Sequence, residues 1–539
     1  MAINVESVIR RADRLKVDRG TLESHWQECA KYCLPKRAYI TRTKTLGEKV
    51  DTDIYDSTGI QAALILAAGL HSYLTNPASK WFALRAGDVK LAKDGNISKW
   101  LRDSEDGMYD VLNSSNFAQQ VHENYLDLVV FGTSCLYEEE DIEDVVRFYC
   151  RSLGEVYVEE DGKERIKTLF RRFLFTAFQA YSEWGDNAGQ KVKDAIDGEK
   201  FNEKFEFLHA ITPRYIRDSS KSDAMNMAFT SAYIEISGKH LIKEGGYHEF
   251  PFFVPRFTKE SGEQYGSSPA MVSLPDIKML NKMSYTLIRA AQKIVDPPLQ
   301  LPHDGFVLPI RLGPAALNFN LKSGMDPNAK IEPIHQAGNI PVGMEMEQER
   351  RDIIRRNFFV DLFLMLAENP NMTATEVMQR VQEKMLILAP VLGRLMNELL
   401  DPVIERTFNI MLRGGYFNKP VPEALIRSGY SIEYTSPLAR AQKGEEMKNN
   451  TNFMLTLGEI SKSIPSVIDK LNGDAMVDES ARFYNVSPTI IRDDVEVKKI
   501  REARAAAQQQ EMEMAAAEKG VQIAKAGAEA QAITKEKGK

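Results

Sequence analysis

Ser273-Leu274-Pro275-Asp276-Ile277-Lys278-Met279-Leu280 opens the stretch whose reading decides this chain, and the stretch runs on to Gly415. Ser273 reads as a helix cap, Pro275 as a first-turn residue and Asp276 as the acid that a helix start favours. Leu280, Met283, Leu287, Ala291 and Ile294 recur every three or four positions, which predicts one buried stripe along a helix from Leu274 to Val295. Asp296-Pro297-Pro298 ends it, because proline lacks the amide and collides with the preceding turn. Residues 297–340 carry no helical period and read as a β-like insert rich in Pro and Gly. A second helix is predicted from Val342 to Leu366 and a short loop over 367–373. Thr373 with Glu376 then forms a capping box at the head of a long helix. Val377, Val381, Met385, Leu388, Leu392, Leu395, Leu399 and Val403 are spaced about 3.7 residues apart along that helix, with kinks expected at Pro390 and Pro402. Two helices held apart by an insert suit a ring whose subunits each line a channel, rather than a pocket enzyme.

Working outward, residues 4–34 read as one or two helices that Gly20 breaks, and 58–75 as an apolar helix too short to span a bilayer. Further helices are predicted over 97–114 and 116–131. A β-rich part begins near Gly132. Asp161-Gly162 between Glu155–Val158 and Ile166–Phe175 predicts a hairpin with a type I′ turn. One helix is expected over Ala177–Ile196, with strands at 205–211, 231–236, 240–243 and 252–257. From about Leu438 the chain reads as helical. The stretch 495–539, rich in Ala, Glu, Gln and Lys, offers a thin apolar face, through Ala505–Ala507, Met512, Met514 and Ala515–Ala517, that an oligomer would have to cover. The fold class expected is α+β.

The 539 residues exceed one ordinary domain. A hydrophobic share of 43% with 27% charged residues is that of a soluble globular chain. The net charge of −7 argues against a tight, sequence-general grip on nucleic acid phosphates, and permits a channel that must not hold DNA. The four cysteines give no disulfide framework. Cys29 and Cys33 share a helix face with no matching pair elsewhere, so they read as buried thiols in a reducing cytoplasm. No signal peptide is expected.

Chemistry-bearing motifs are sparse. No phosphate loop of the Gly-x-x-x-x-Gly-Lys-Ser/Thr type occurs, so this chain does not supply the energy of an ATP-driven motor. Nucleophile-elbow, His-Glu-x-x-His and Cys-x-x-Cys patterns are also missing from the sequence. Asp51-Thr52-Asp53…Asp56 begins like a calcium loop, yet Asp56 stands where glycine is needed and Ala62 where a bidentate Glu is needed, so solvated acids and a helix cap are expected. Glu138-Glu139-Glu140-Asp141 with Glu143 and Asp144 is the one candidate for a metal-dependent nuclease, weighed against a solvated loop. No metal and no cofactor is expected. In the second helix, Glu345, Glu347, Glu349 and Asp352 balance Arg350, Arg351, Arg355 and Arg356. Four-residue spacings predict salt bridges Glu347–Arg351 and Asp352–Arg356, and in a ring the same positions would become circles of charge. Arg311, Lys322 and Lys330 lie in the insert without partners in sequence, and are candidate contacts to a nucleic acid or to a protein partner. The loop Glu368-Asn369-Pro370-Asn371-Met372 is polar or turn-forming apart from Met372, with a single charge and no strong phosphate binder.

The order of parts resembles the portal protein, the head-to-tail connector, of short-tailed bacteriophages of the podovirus type. The resemblance rests on Tyr55-Asp56-Ser57-Thr58-Gly59 before Ala62-Ala63-Leu64 and Ala67-Ala68-Gly69-Leu70; on Leu74-Thr75-Asn76-Pro77 and Lys80-Trp81-Phe82; and on Pro255-Arg256-Phe257 before Gly262-Glu263-Gln264-Tyr265-Gly266. Asp276 with Leu280-Asn281, Thr373-Ala374-Thr375-Glu376-Val377 and Ser436-Pro437-Leu438-Ala439-Arg440-Ala441-Gln442 complete it. Each string is weak alone; their joint order is specific. The resemblance implies a non-enzymatic ring, a dodecamer in that family, conducting double-stranded DNA at a capsid vertex. It implies contacts with the terminase large subunit, tail adaptor, scaffolding and major capsid proteins, a place in the virion, and assembly in the host cytoplasm with no membrane. It further implies a wing over 1–272, a stem pair at 273–296 and 341–366, a clip at 297–340 facing the terminase, and a tunnel loop at 367–373. A long helix and junction over 374–437 and a helical crown and barrel over 438–539 would follow. The readings from another class are the nuclease at 138–144 and a non-portal assembly scaffold built on the helical C-terminus.

Overall fold

The computed structural model describes residues 3–296, 340–368 and 386–435 with short gaps, the strand pairs at 299–300 and 332–333, and, beyond 435, chiefly 451–461 and 496–510. The fold is mixed helix and sheet, as the sequence predicts. Helices α1 (Val5–Asp18) and α2 (Gly20–Cys33) meet at Arg19, one residue before the expected break. Asn4 caps α1 by accepting the Ser7 amide at 3.1 Å. Helix α3 (Thr58–Leu74), strand β1 (Phe82–Ala86), α4 (Gly95–Ser114) and α5 (Phe117–Phe131) follow. Strands β2 (Leu136–Asp141), β3 (Val145–Cys150), β4 (Val156–Glu160) and β5 (Ile166–Thr176) come next. After them come α6 (Ala177–Trp184), α7 (Gln190–Asp197), β6 (Lys204–Pro213), β7 (Phe229–Glu235), β8 (His240–Tyr247) and β9 (Phe252–Phe253).

Contacts divide the chain into two units, 1–84 with 102–421 and 432–442, and 85–101 with 422–431 and 443–539. In the first, an antiparallel sheet runs in the order β4-β5-β6-β7-β8. Its two-residue alternation explains how it is covered. Phe170, Leu208, Ala210, Ala232 and Ile234 point to one face, where Ala12 and Leu15 of α1 pack. Phe173, Phe205 and Phe207 point to the other, under Ala177, Ala180, Val192 and Ala195 of α6 and α7. Farther along that second face, Leu169 and Ile211 meet Tyr137 of β2 and Phe252 of β9, which belong to a separate sheet ordered β3-β2-β9.

The 161–165 turn is wider than type I′: Asp161 and Arg165 close it, the Asp161 carboxylate accepts the Lys163 and Arg165 amides, and positive φ falls on Glu164. The single helix expected over Ala177–Ile196 is two, because Gly185 and Gly189 take positive φ between α6 and α7.

Helix α8 spans Pro269–Val295 and starts five residues earlier than Ser273 and Pro275 indicate. Ser268 is the cap, accepting the Met271 amide at 3.0 Å, and Pro269 takes the first position, where its missing amide costs nothing. Pro275 lies inside the helix and Ser273 is buried in it. Strands β10 (Leu299–Gln300) and β11 (Glu332–Pro333) pair antiparallel within the insert. The second predicted helix is also two, α9 (Ile340–Asn357) and α10 (Val360–Glu368). Phe358 and Val360 are both buried, yet residues two apart face opposite sides of a helix; Phe359, at φ 55°, breaks the helix so that both reach the core. Ala367 and Glu368 are therefore helical, and the predicted loop begins no earlier than residue 369.

The long helix is described from Leu386. A 3-10 turn at Leu386–Leu388 leads into helix Ala389–Leu395, a wide π turn at Met396–Leu400, and helix Asp401–Arg413. Pro390 and Pro402 each sit in the first turn of a new segment, where the expected kinks are taken up as changes of helix type. Strand β12 is Tyr430–Tyr434. In the second unit, helix Glu423–Ser428 is followed by Gly429, whose carbonyl accepts the Gly87 amide at 3.2 Å. Residues 451–461 and 496–510 are helical and mostly exposed, with Phe453, Leu455 and Ile460 among the exposed apolar side chains.

Candidate functional site: the α8–α9 hairpin

Helices α8 and α9 lie antiparallel. Three contacts fix their register: Arg350 to Asp276 at 3.2 Å, the Ser284 hydroxyl to Glu347 at 2.7 Å, and Gly343 beneath Leu287. A Cβ on Gly343 would fall 2.7 Å from Leu287 Cδ2, so glycine permits the close approach. Leu280 of α8 and Ile354 of α9 are both buried.

The charges of α9 divide into two groups. Glu347 is buried and takes Arg351 at 2.9 Å in the predicted four-residue bridge; Arg351 also reaches Asp56 at 3.1 Å. Glu345, Glu349, Arg355 and Arg356 are exposed and make no ion pair among the described residues. The expected Asp352–Arg356 bridge does not form; Asp352 accepts from Gln348 at 3.0 Å instead. At 100° per residue, Glu345, Glu349, Asp352 and Arg356 fall on one narrow stripe, opposite the buried side that carries Glu347 and Ile354. Read from the insert towards α10, the stripe is three acids and then a base, with Arg355 beside it.

Sequence reading missed how the residues before α3 are held. The Asn281 carboxamide of α8 accepts the Tyr55 amide at 2.7 Å and the Asp56 amide at 3.3 Å, and donates to the Asp53 carbonyl at 3.0 Å. Asp56 caps α3 through the Thr58 amide at 2.8 Å, as expected, but it is tied to Arg351 and not solvated. Asp53 pairs with Lys31 at 3.2 Å. A lone Asn on a helix face carries no signal of a partner more than two hundred residues away.

The acidic run is solvated in part, since Glu139, Glu140 and Glu143 are exposed and 142–144 is a turn, but its first member is not. Glu138 to Asp141 form β2, with Glu138 wholly buried. The Thr407 hydroxyl donates to Glu138 at 2.8 Å, and Arg406 lies 3.8 Å from it. Burial pushes the Glu138 carboxyl up to about 8 against the pull of Arg406 and Thr407. Glu140 meets Arg413 at 3.2 Å, and Asp141 accepts the Glu143 and Asp144 amides. These carboxylates diverge to separate partners and converge on no common point. Cys29 and Cys33 are buried in α2, and burial drives both thiols up, Cys29 to about 12. Arg311, Lys322, Lys330, Asn369, Pro370, Asn371, Met372 and the Thr373/Glu376 capping box lie outside the described residues.

The hairpin thus combines an inward set of paired charges with an outward stripe of charges unpaired among the described residues, and the acids at 138–144 converge on no common centre. Residues 5–491 match the family described as bacteriophage head to tail connecting protein, and the chain belongs to it. The chain is 33% identical over 525 residues to the "Probable portal protein" of Bordetella phage BPP-1, covering 96% of this chain and 94% of that one. It is 32% identical over 536 residues to the "Portal protein" of Salmonella phage epsilon15, covering 98% and 96%. This is a phage portal protein, a structural component of the capsid that forms a homo-oligomeric ring joining head to tail. No helix among the described residues is long and apolar enough to cross a membrane.

Proposed function

We propose that the α8–α9 hairpin is the channel stem, with residues 297–339 as the clip, 369–373 as the tunnel loop, the part up to residue 268 as the wing, 374–437 as the long helix and junction, and 438–539 as crown and barrel. The observation that carries this reading is the division of charge on α9. Arg350, Arg351 and Glu347 are committed to α8, to Asp56 and to each other, which leaves Glu345, Glu349, Arg355 and Arg356 free to face the lumen. Repeated around a ring, the acids would form a repulsive wall on which duplex DNA slides, and the two arginines a narrow basic belt near the tunnel loop. Asn369 to Met372 would then narrow the channel, and Arg311, Lys322 and Lys330 would meet the terminase large subunit. Twelve subunits is the copy number the family resemblance favours. Tail adaptor, scaffolding and major capsid proteins are the further partners, and assembly takes place in the host cytoplasm before the ring is built into the virion.

Cryo-electron microscopy of purified full-length rings tests the stem assignment. The α8–α9 hairpin should bound the channel, with the Glu345/Glu349 stripe towards the axis. A ring in which this stripe is packed against a neighbouring subunit would refute it.

A further inference from the structure

The helical run 386–413 changes type at one place. At Met396–Leu400 the turn is wide, and the Asp401 amide donates to the Met396 carbonyl five residues back. Pro402 makes such a turn tolerable. In α geometry its ring would press on the Glu398 carbonyl, and it has no amide to offer that oxygen. Glu398 is thus the residue whose backbone the wide turn releases.

Its side chain is equally committed. The Glu398 carboxylate accepts the backbone amide of Arg256 at 2.9 Å, the Arg256 Nε at 3.2 Å and the Arg256 Nη2 at 2.6 Å. Arg394, one turn earlier, approaches it at 3.5 Å. Arg256 is 3% exposed and held on its far side by Glu160, the Glu164 carbonyl at 3.3 Å and the Gln264 carbonyl at 3.4 Å. Lys259 ties Glu160 and Glu164 together, each at 2.8 Å. The clamp therefore joins the wide turn to the β4–β5 hairpin and to the segment entering α8. A bidentate, buried pair that also uses a backbone amide fixes orientation as well as distance.

We propose that Arg256 is a positioning residue, which sets the register of the helical run by clamping Glu398 within the wide turn. If the turn relaxed to α geometry, one residue would be withdrawn from it. The segment 386–395 would then rotate by about 100° and shift by about 1.5 Å against the helix Asp401–Arg413. The effect on DNA rests on the portal reading, because 386–395 follows in sequence the segment read as the tunnel loop.

The test uses full-length protein carrying Glu398→Ala, Arg256→Lys or Glu398→Gln, with structures determined by cryo-electron microscopy and DNA-filled heads counted in a phage complementation assay. In Glu398→Ala the Asp401 amide should move to the Asn397 carbonyl, with the rotation of about 100° upstream, and the yield of filled heads should fall while the number of rings stays constant. Arg256→Lys should shift the register in part of the particles. Glu398→Gln keeps an acceptor for the Arg256 amide and should restore the wide turn and the yield; it also serves if Glu398→Ala misfolds. A wide turn retained in Glu398→Ala, held by Pro402 alone, would overturn the clamp. A rotated register with an unchanged yield would overturn the positioning role. Unaltered protein that formed no ring would count against the portal reading instead, and the register would still be read in the monomer.

Discussion

Asn281 shows how much one side chain decides in this protein. It replaces three backbone partners that the irregular segment before α3 would otherwise lack. Asn281→Ala should therefore lower stability by about 1–2 kcal/mol in urea unfolding, more than Asn281→Asp, which keeps the acceptor for Tyr55 and Asp56. Glu138 supplies a pH dependence. Its folded pKa of about 8 lies above the ordinary 4.5, so the folded state holds a proton that the unfolded chain has released. Its stabilising contribution is full below pH 4.5 and lost as pH rises through about 8. The midpoint of thermal unfolding should fall between pH 5 and 8 more steeply in the native protein than in Glu138→Gln, which keeps the shape and the Thr407 contact without a titrating proton. Equal slopes for the two proteins would remove Glu138 as the source.

At the scale of elements, the hairpin α8–α9 depends on close approach. Gly343→Leu should push Leu287 aside, cost about 1–3 kcal/mol and reduce the share of protein in rings, read by unfolding and by mass photometry. The segment after α10 carries a different prediction, inherited from its composition. Replacing Asn369 and Asn371 with lysine should slow DNA ejection, most at low salt, where phosphate attraction is least screened, with assembly unchanged. Ejection at the unaltered rate in low salt would mean that the segment does not face DNA. The elements also show where pattern reading stops. Period and caps located α3, α5 and the strands β5 to β7 closely, and the first half of β8. They misplaced the start of α8 because Ser273-Leu274-Pro275 imitates a cap sequence that Ser268-Pro269 supplies, and they joined α9 to α10 because the pull of the core on Phe358 and Val360 has no local signature.

For the whole molecule, the helical stretches at 451–461 and 496–510 leave apolar side chains such as Phe453, Leu455 and Ile460 exposed, surface that a neighbouring subunit would cover. Mass photometry of the full-length protein should show closed rings, and monomers alone across a wide concentration range would contradict this. Reversing Arg355 and Arg356 to glutamate should leave ring mass unchanged and weaken the retention of packaged DNA at low salt more than at high salt. The sequence by itself determined the α+β class, the two helices about an insert, the missing ATP site and the acidic balance, because hydrophobic period, proline breaks and motif spacing are local properties of a chain. Only the tertiary structure decided which charges of α9 are paired inward, that Glu138 is buried beside Arg406, and that Arg256 holds Glu398 at a wide turn. Each of those depends on which distant segments the packing brings within hydrogen-bond reach, and no spacing along the chain encodes that.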